Sequence, residues 1–429
     1  MINVGLRGYL WDKKPREAKV ARELWTCNSA TYHDYRGFIG YAKEYGFPDQ
    51  QLSRMARRVT NDSVGSVEPS DMSFASSMAS FSSGPQPVPY HFAGMKQIFD
   101  DSKVPVTVVC FGRLSSDLLA WGTADGVVRV AIIGDESYVM HEFRRHTRAV
   151  TEIDWTLDNS CLLTSSLDGT TCMWLANSGR LARTFTTESG ALSCRFHQVN
   201  QNLIMVGTAA GEVEVFNCST GMSQGYSVLY SAGYPEGLGA CAMCCSNNML
   251  YVGDTQGNVH SYRCDIKDGV LQALSFLGRT VCPTGKPAEV SSLMHTAYCV
   301  HAKGPGLLLS SANNSVCILK PLDAAGKLEV VAKAQMPIAA RKIKAIFCPT
   351  LNYNEPEYIA MGGEDTGVYV YDITRKTKRG PTIVNKLQGH LAPVVDVSWS
   401  YDECLFASCD CDGVVIVWKR DKGMQYQGS

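Results

Sequence analysis

His146, Thr164 and Asp168 bring an imidazole, a hydroxyl and a carboxylate into one short stretch of chain. These are the groups of a nucleophilic triad, in which the carboxylate orients the imidazole and the imidazole takes the proton of the attacking hydroxyl. The same ingredients return near the end of the chain as His390, Ser408 and Asp412. The spacing is identical: 22 residues from histidine to aspartate, then six to a tryptophan, Trp174 or Trp418. A catalytic site has no use for a second copy so far away, whereas a structural device repeated in two units does. Both sets are therefore expected to be buried hydrogen-bond networks that tie strands together. No enzyme activity is expected.

Other chemistry is thinly represented. No Gly-x-x-x-x-Gly-Lys-Ser/Thr, Gly-x-Ser-x-Gly or His-Glu-x-x-His motif occurs, so the common phosphate-cradling, hydrolase and zinc-peptidase signatures are missing. The cysteine groups Cys241, Cys244, Cys245 and Cys409, Cys411 lack the second pair or the histidines that structural zinc uses. They read as small buried strand residues, and no metal or cofactor is expected. Seventeen cysteines, an odd number, many in strand-like runs, suggest reduced thiols in the nucleus or cytosol. A net charge of −1 gives no global attraction to nucleic acid or an acidic membrane. Direct sequence-specific nucleic-acid binding and membrane association are not expected. No apolar run reaches the ~18 residues of a spanning helix, and the N-terminus lacks the apolar core of a secretory signal.

The chain divides into three regions. Residues 1–60 carry eleven Lys/Arg against six Asp/Glu and cluster Tyr32, Tyr35, Phe38, Tyr41, Tyr45 and Phe47. Pro15 and Pro48 stand where helices start, so a partly helical docking extension is expected. Residues 61–89 hold nine serines and no Lys or Arg, and end in Pro85-Gln86-Pro87-Val88-Pro89. That composition reads as a flexible, disordered linker. From residue 90 onward, short β-rich runs alternate with turns.

A tight turn recurs through this third region at Asp125-Gly126, Asp168-Gly169, Ala210-Gly211, Gln256-Gly257, Asn313-Asn314, Asp365-Thr366 and Asp412-Gly413. Six residues beyond each stands Ala131, Trp174, Phe216, Tyr262, Leu319, Tyr371 or Trp418. A period of about 40 to 45 residues with a late aromatic marks propeller blades. Seven such units predict an all-β, seven-bladed propeller over residues 90–429. The turns are expected to be two-residue hairpins. Longer spacings place insertions around 280–287, 297–305 and 352–357. Too few residues follow Trp418 for the last blade to build its outer strand. Residues 94–99 are expected to supply it and close the ring.

Four stretches carry a more specific likeness: Phe92–Asp100, Ala149–Asp168, Gln198–Gly207 and Asn385–Ser398. They resemble the WD-repeat β-propeller family, in text outside the repeat consensus as well as within it. The resemblance implies that in each tetrad the histidine bonds the turn aspartate, the hydroxyl bonds the histidine, and the tryptophan bonds the hydroxyl. It also implies a non-enzymatic, mainly nuclear scaffold that acts in transcription regulation through protein partners. The rival readings are a structural subunit of a large assembly such as a ciliary axoneme, and a ubiquitin-ligase substrate adaptor. The adaptor's usual Trp-Asp-x-Arg text is replaced here by Tyr371-Asp372-Ile373-Thr374-Arg375. A cytoplasmic or ciliary location goes with these rivals. The expected form is a monomeric propeller within a larger complex. Arg145, Arg148, Arg341 and Lys342 are candidate partner-binding residues, with Arg148 and Arg341 placed to line the channel mouth and meet an acidic peptide.

Overall fold

The computed structural model describes residues 90–100, 103–229, 238–267, 269–282, 288–322, 326–336, 342–348, 357–377 and 380–420. The N-terminal extension, the serine-rich linker, Arg341 and much of the expected insertions lie outside these residues. Twenty-eight strands, β1 to β28 in chain order, form seven antiparallel sheets of four. All elements among the described residues are strands. Each sheet is a blade, and in six of them the strands run outward in chain order from the centre, as in β2-β3-β4-β5. The inner strands are β2 (Val106–Phe111), β6 (Val150–Trp155), β10 (Ala191–Phe196), β14 (Ala240–Ser246), β18 (Val290–Cys299), β22 (Ala345–Phe347) and β26 (Val394–Trp399).

The seventh blade is completed from the start of the ring. Strand β1 (Phe92–Phe99) pairs with β28 (Val415–Arg420), setting Phe92 opposite Arg420 and Phe99 opposite Val415. The pairing removes the two free edges an open ring would expose.

Burial explains why these sequences make such strands. The second strands of blades one, three and seven, Leu118–Thr123, Leu203–Thr208 and Leu405–Asp410, are buried at every position. Each has another sheet against both of its faces, so mainly apolar text replaces polar alternation. The seams between blades are the cores: Leu163, Phe185, Phe196, Ile204 and Phe216 form one such cluster between blades two and three.

The seven turns share one geometry. Gly126, Gly169, Gly211, Gly257, Asn314, Thr366 and Gly413 all have φ between 62° and 94°. Only this last residue is left-handed. The loop has three residues, a type I turn ending in a bulge, as where Gly169 N–H donates to Ser166 O at 3.2 Å. The expectation of a two-residue hairpin is corrected on this point. At Gly126 the demand is also steric, since a Cβ there would lie 2.5 Å from the His146 carbonyl.

Extra length is partly spent on longer strands. Strands β16 (Asn258–Lys267) and β17 (Val270–Val281) have ten and twelve residues, and β18 has ten. Of the insertion expected at 297–305, residues 297–299 lie in β18 and 304–305 in β19 (Gly304–Ser311).

Two faces result. The turns, the ends of the outer strands and the starts of the inner strands share the turn face. The hairpin loops that join first to second strands form the opposite loop face.

Candidate functional site

The two tetrads are geometrically real and consumed by structure. In blade two, Trp174 Nε1–H donates to Thr164 Oγ1 at 3.0 Å, and His146 Nε2 lies 2.8 Å from the same oxygen. His146 Nδ1 is 2.8 Å from Thr170 Oγ1, which donates to Asp168 Oδ1 at 2.5 Å. His146 Nδ1 and Asp168 Oδ2 are 3.4 Å apart. A neutral imidazole makes this one directional chain, indole to hydroxyl to imidazole to hydroxyl to carboxylate. Burial holds the His146 pKa below 6.5, although Asp168 pulls it upward. Thr164 is fully buried, and its oxygen is committed on both sides. Nucleophilic attack from it has no route.

Blade seven uses a different aspartate from the one its spacing suggests. His390 Nδ1–H donates to Asp410 Oδ2 at 2.7 Å, His390 Nε2 is 2.7 Å from Ser408 Oγ, and Trp418 Nε1–H donates to that oxygen at 2.8 Å. Asp412 is exposed. Asp410 opens the turn, where its Oδ1 accepts the amides of Asp412 and Val414 at 3.0 and 2.9 Å. In this blade the first turn position aims inward and the third outward, unlike blade two, which corrects the assignment of Asp412.

Other blades carry polar networks that the repeat spacing did not reveal. In blade four, Asp254 accepts from His260 Nε2 at 3.0 Å and from Asn258 Nδ2 at 2.8 Å. In blade six, the Tyr369 hydroxyl donates to Asp365, which Lys386 approaches at 3.0 Å.

The described candidates among the basic residues, Arg145, Arg148 and Lys342, stand outside the lining of the central cavity. Arg145 and Arg148 are exposed on the turn face, where Arg148 donates to Leu167 O at 3.1 Å. Lys342 is paired with Glu289 at 2.5 Å. The cavity, about 280 Å³, is instead lined by Arg113, Glu152, Asp154, Arg195, Lys344 and Asp396 together with inner-strand residues.

Those six form a charged hub. Arg113 pairs with Asp154 at 2.5 Å and Arg195 with Glu152 at 3.2 Å. Lys344, from blade six, reaches Glu152 of blade two at 3.2 Å and Asp396 of blade seven at 3.3 Å. Three cations face three carboxylates, so the hub is neutral. The carboxylates also accept backbone amides of the neighbouring blade: Val109 N–H on Asp396 at 3.0 Å, and Phe196 N–H on Asp154 at 2.9 Å. Burial raises the Asp396 pKa despite Lys344. Glu152 is buried too, but Arg195 and Lys344 hold its pKa below the usual value. This is a spoke across the channel, in which every charged group has a partner.

On the loop face, neighbouring hairpin loops are laced together. Arg113 N–H donates to Asn159 Oδ1 at 2.7 Å, Leu157 N–H to Gln201 Oε1 at 3.1 Å, and Asn247 N–H to Gln198 Oε1 at 2.8 Å. These bonds fix the loops of blades one to four edge to edge. On that surface stand Leu114, Leu157, Val199 and Tyr401, exposed by 55, 44, 68 and 62%. They come from the same loop of blades one, two, three and seven, four neighbours around the ring. Among the described residues, Leu391 is the large apolar side chain exposed in the loops of the turn face.

A family profile described as "WD domain, G-beta repeat" matches residues 137–174 and 381–419. Two segments of the propeller thus match the WD40 repeat. Both matched windows run from an outer strand through the next blade's third strand, and each contains one tetrad. A search of solved structures aligns the chain with the Cps50 (Swd1) β-propeller domain of Myceliophteria thermophila. The TM-score is 0.60 at 16% identity, covering 76% of this chain and 98% of that one. Among curated proteins, the chain is similar to the zebrafish (Danio rerio) "Denticleless protein homolog", 22% identical over 72% of the chain and 50% of the relative. It is also similar to "WD repeat-containing protein 55 homolog" of Drosophila persimilis, 21% identical over 45% of the chain and 48% of the relative. A shorter match is to a chromatin assembly factor 1 subunit of Mus musculus, 35% identical over 17% of the chain and 11% of the relative. The chain spans about half the length of the first two relatives.

Cysteine chemistry in the ring is quiet. Sixteen described cysteines are free thiols, and burial pushes several up, Cys317 to about 11 and Cys282 to about 12. Cys299, His301 and Glu357 come together where blades five and six meet. There the carboxylate accepts from His301 Nδ1 at 2.7 Å and from the Cys299 thiol at 3.2 Å. The first distance is that of a charge-assisted hydrogen bond. The group is a satisfied buried carboxylate.

Proposed function

We propose that the chain is a non-enzymatic protein–protein scaffold whose contact surface is the apolar arc of the loop face. The observation that carries this reading is the alignment of Leu114, Leu157, Val199 and Tyr401 on laced loops of adjacent blades. Exposed apolar residues gathered on neighbouring loops suit an interaction site, and rigid loops on a scaffold suit recognition. The tetrads and the hub support it from the other side, because their reactive groups are tied up in structure.

The finer reading is a monomeric propeller within a nuclear complex concerned with transcription. The text at 92–100, 149–168, 198–207 and 385–398 resembles WD repeat-containing protein thirteen. A relative named as part of chromatin assembly factor 1 supports the nucleus.

Velocity sedimentation of the tagged chain from nuclear extract tests the proposal. The wild-type chain is expected in a high-mass fraction. Leu157→Asp with Val199→Asp is expected to release it as a monomer, while Arg148→Ala on the turn face does not. A high-mass fraction untouched by the double substitution overturns the reading.

A further inference from the structure

The arc has a candidate occupant in the same chain, and the place where the chain joins the ring points to it. Tyr90 is buried on the loop-face side of blade seven. Its ring lies 5.1 Å from that of Tyr358 and 5.9 Å from that of Trp399, and Asn385 Nδ2–H donates to its carbonyl at 2.8 Å. Trp399 stands two residues before Tyr401, so residues 1–89 join the ring beside the first loop of the arc.

The chemistry of the arc is specific. Three of its loops set an exposed acid close to the exposed apolar residue: Leu114 with Asp117, Leu157 with Asp158, and Tyr401 with Asp402. A second copy of the same surface would bring these acids against one another. The complementary text is aromatic and basic. Residues 1–60 supply it, with six aromatics between Tyr32 and Phe47 and basic blocks on either side, Lys13–Arg22 and Arg54–Arg58. Reach is sufficient, since even at coil dimensions the 42 residues from 48 to 89 span roughly 35 Å.

We infer that the aromatic stretch at 32–47, with its flanking basic blocks, docks on the Tyr401–Leu114–Leu157–Val199 arc of the same chain. The inference rests on the reading of the arc as a protein-binding surface and adds an internal competitor for it. A tethered segment acts at an effective concentration of about millimolar, so even a weak contact covers the arc until a tighter partner displaces it.

A fluorescent peptide of residues 30–60 tests this by anisotropy against residues 90–429, a span that contains all seven blades and the closing strand. Saturable binding is expected, weakened about tenfold or more by Leu157→Asp with Val199→Asp, and weakened by salt, which screens exposed charge pairs. Full-length protein is expected to bind the same peptide at least tenfold more weakly, since its own segment holds the site. Amide exchange supplies a second readout: loops 112–117, 156–160, 197–202 and 400–404 are expected to be more protected in the full chain than in residues 90–429. Thermal melts confirm that the variants fold. Absence of peptide binding together with equal loop protection overturns the inference, and so does binding that the arc substitutions leave unchanged. The two proposals fail separately. Without peptide binding, sedimentation that still responds to the arc variants keeps the scaffold reading and removes the occupant. With peptide binding, a high-mass fraction untouched by those variants keeps the occupant and removes the scaffold's use of this surface.

Discussion

The guanidinium of Arg420 lies 4.5 Å from the centre of the Tyr90 ring and 5.6 Å from that of Trp399. The end of β28 is thereby clamped to the residue that leads into β1, at the point where the ring is joined. The Arg420 side chain is 3% exposed and stands 3.5 Å from Glu403, so its charge interacts with little competition from water. Arg420→Ala is expected to lower stability by about 2 kcal/mol, in line with a desolvated cation–π contact. Urea unfolding measures it. Removal of residues 1–100 should abolish cooperative unfolding, while removal of residues 1–85 should leave it intact.

Asp410 and Asp412 are two residues apart and should behave oppositely. Asp410→Ala strips a buried imidazole and two backbone amides of their acceptor and is expected to cost about 1–3 kcal/mol. Asp412→Ala is expected to stay within about 0.5 kcal/mol of the parent, as for most surface changes. Asp168→Ala belongs with the first, because it leaves Thr170 and the Thr147 amide without their carboxylate. Equal melts for the Asp410 and Asp412 variants would refute the blade-seven geometry.

The His146 pKa is held down, chiefly by burial. The unfolded chain therefore binds a proton that the folded blade resists. The neutral imidazole's contribution is complete above pH 6.5, the unfolded value, and is lost as pH falls through the lower folded value. Thermal midpoints should decline as pH drops below about 6.5. His197 and His295 are lowered by burial in the same way and add to the decline. A His146→Gln variant should show a shallower decline than the parent over this window.

Lys344 offsets two buried carboxylates at once. Lys344→Met leaves Glu152 and Asp396 facing each other with only Arg195 nearby. The expected loss is about 3–5 kcal/mol, typical of a buried pair broken from one side. Acidification should recover part of it, because Asp396, already raised by burial, takes up a proton first. A variant whose deficit is the same at acid and neutral pH would argue against the hub.

The fold was legible because its constraints are local and periodic. A left-handed residue ends each turn, an aromatic stands at a fixed offset in five of the seven blades, and the middle strands are mainly apolar. The tetrads were legible in kind but not in full detail. Asp410 and Asp412 both lie within one turn, and offset alone does not say which side chain aims into the blade. The blade-four pair Asp254 and His260 escaped because its histidine follows the aspartate instead of preceding it. The hub was invisible for a different reason. Glu152 and Lys344 are separated by 192 residues, and only ring closure makes them neighbours. The loop-face arc escaped as well, since Leu157 and Val199 look like ordinary apolar residues until their loops are seen to point outward together.

The spoke from Lys344 to Glu152 has a mechanical consequence. It bars the axle of the wheel, so no peptide can thread the ring from side to side. Whatever assembles on the turn face and whatever assembles on the loop face remain physically segregated. The disc is a two-sided platform, and traffic between its sides must go around the rim.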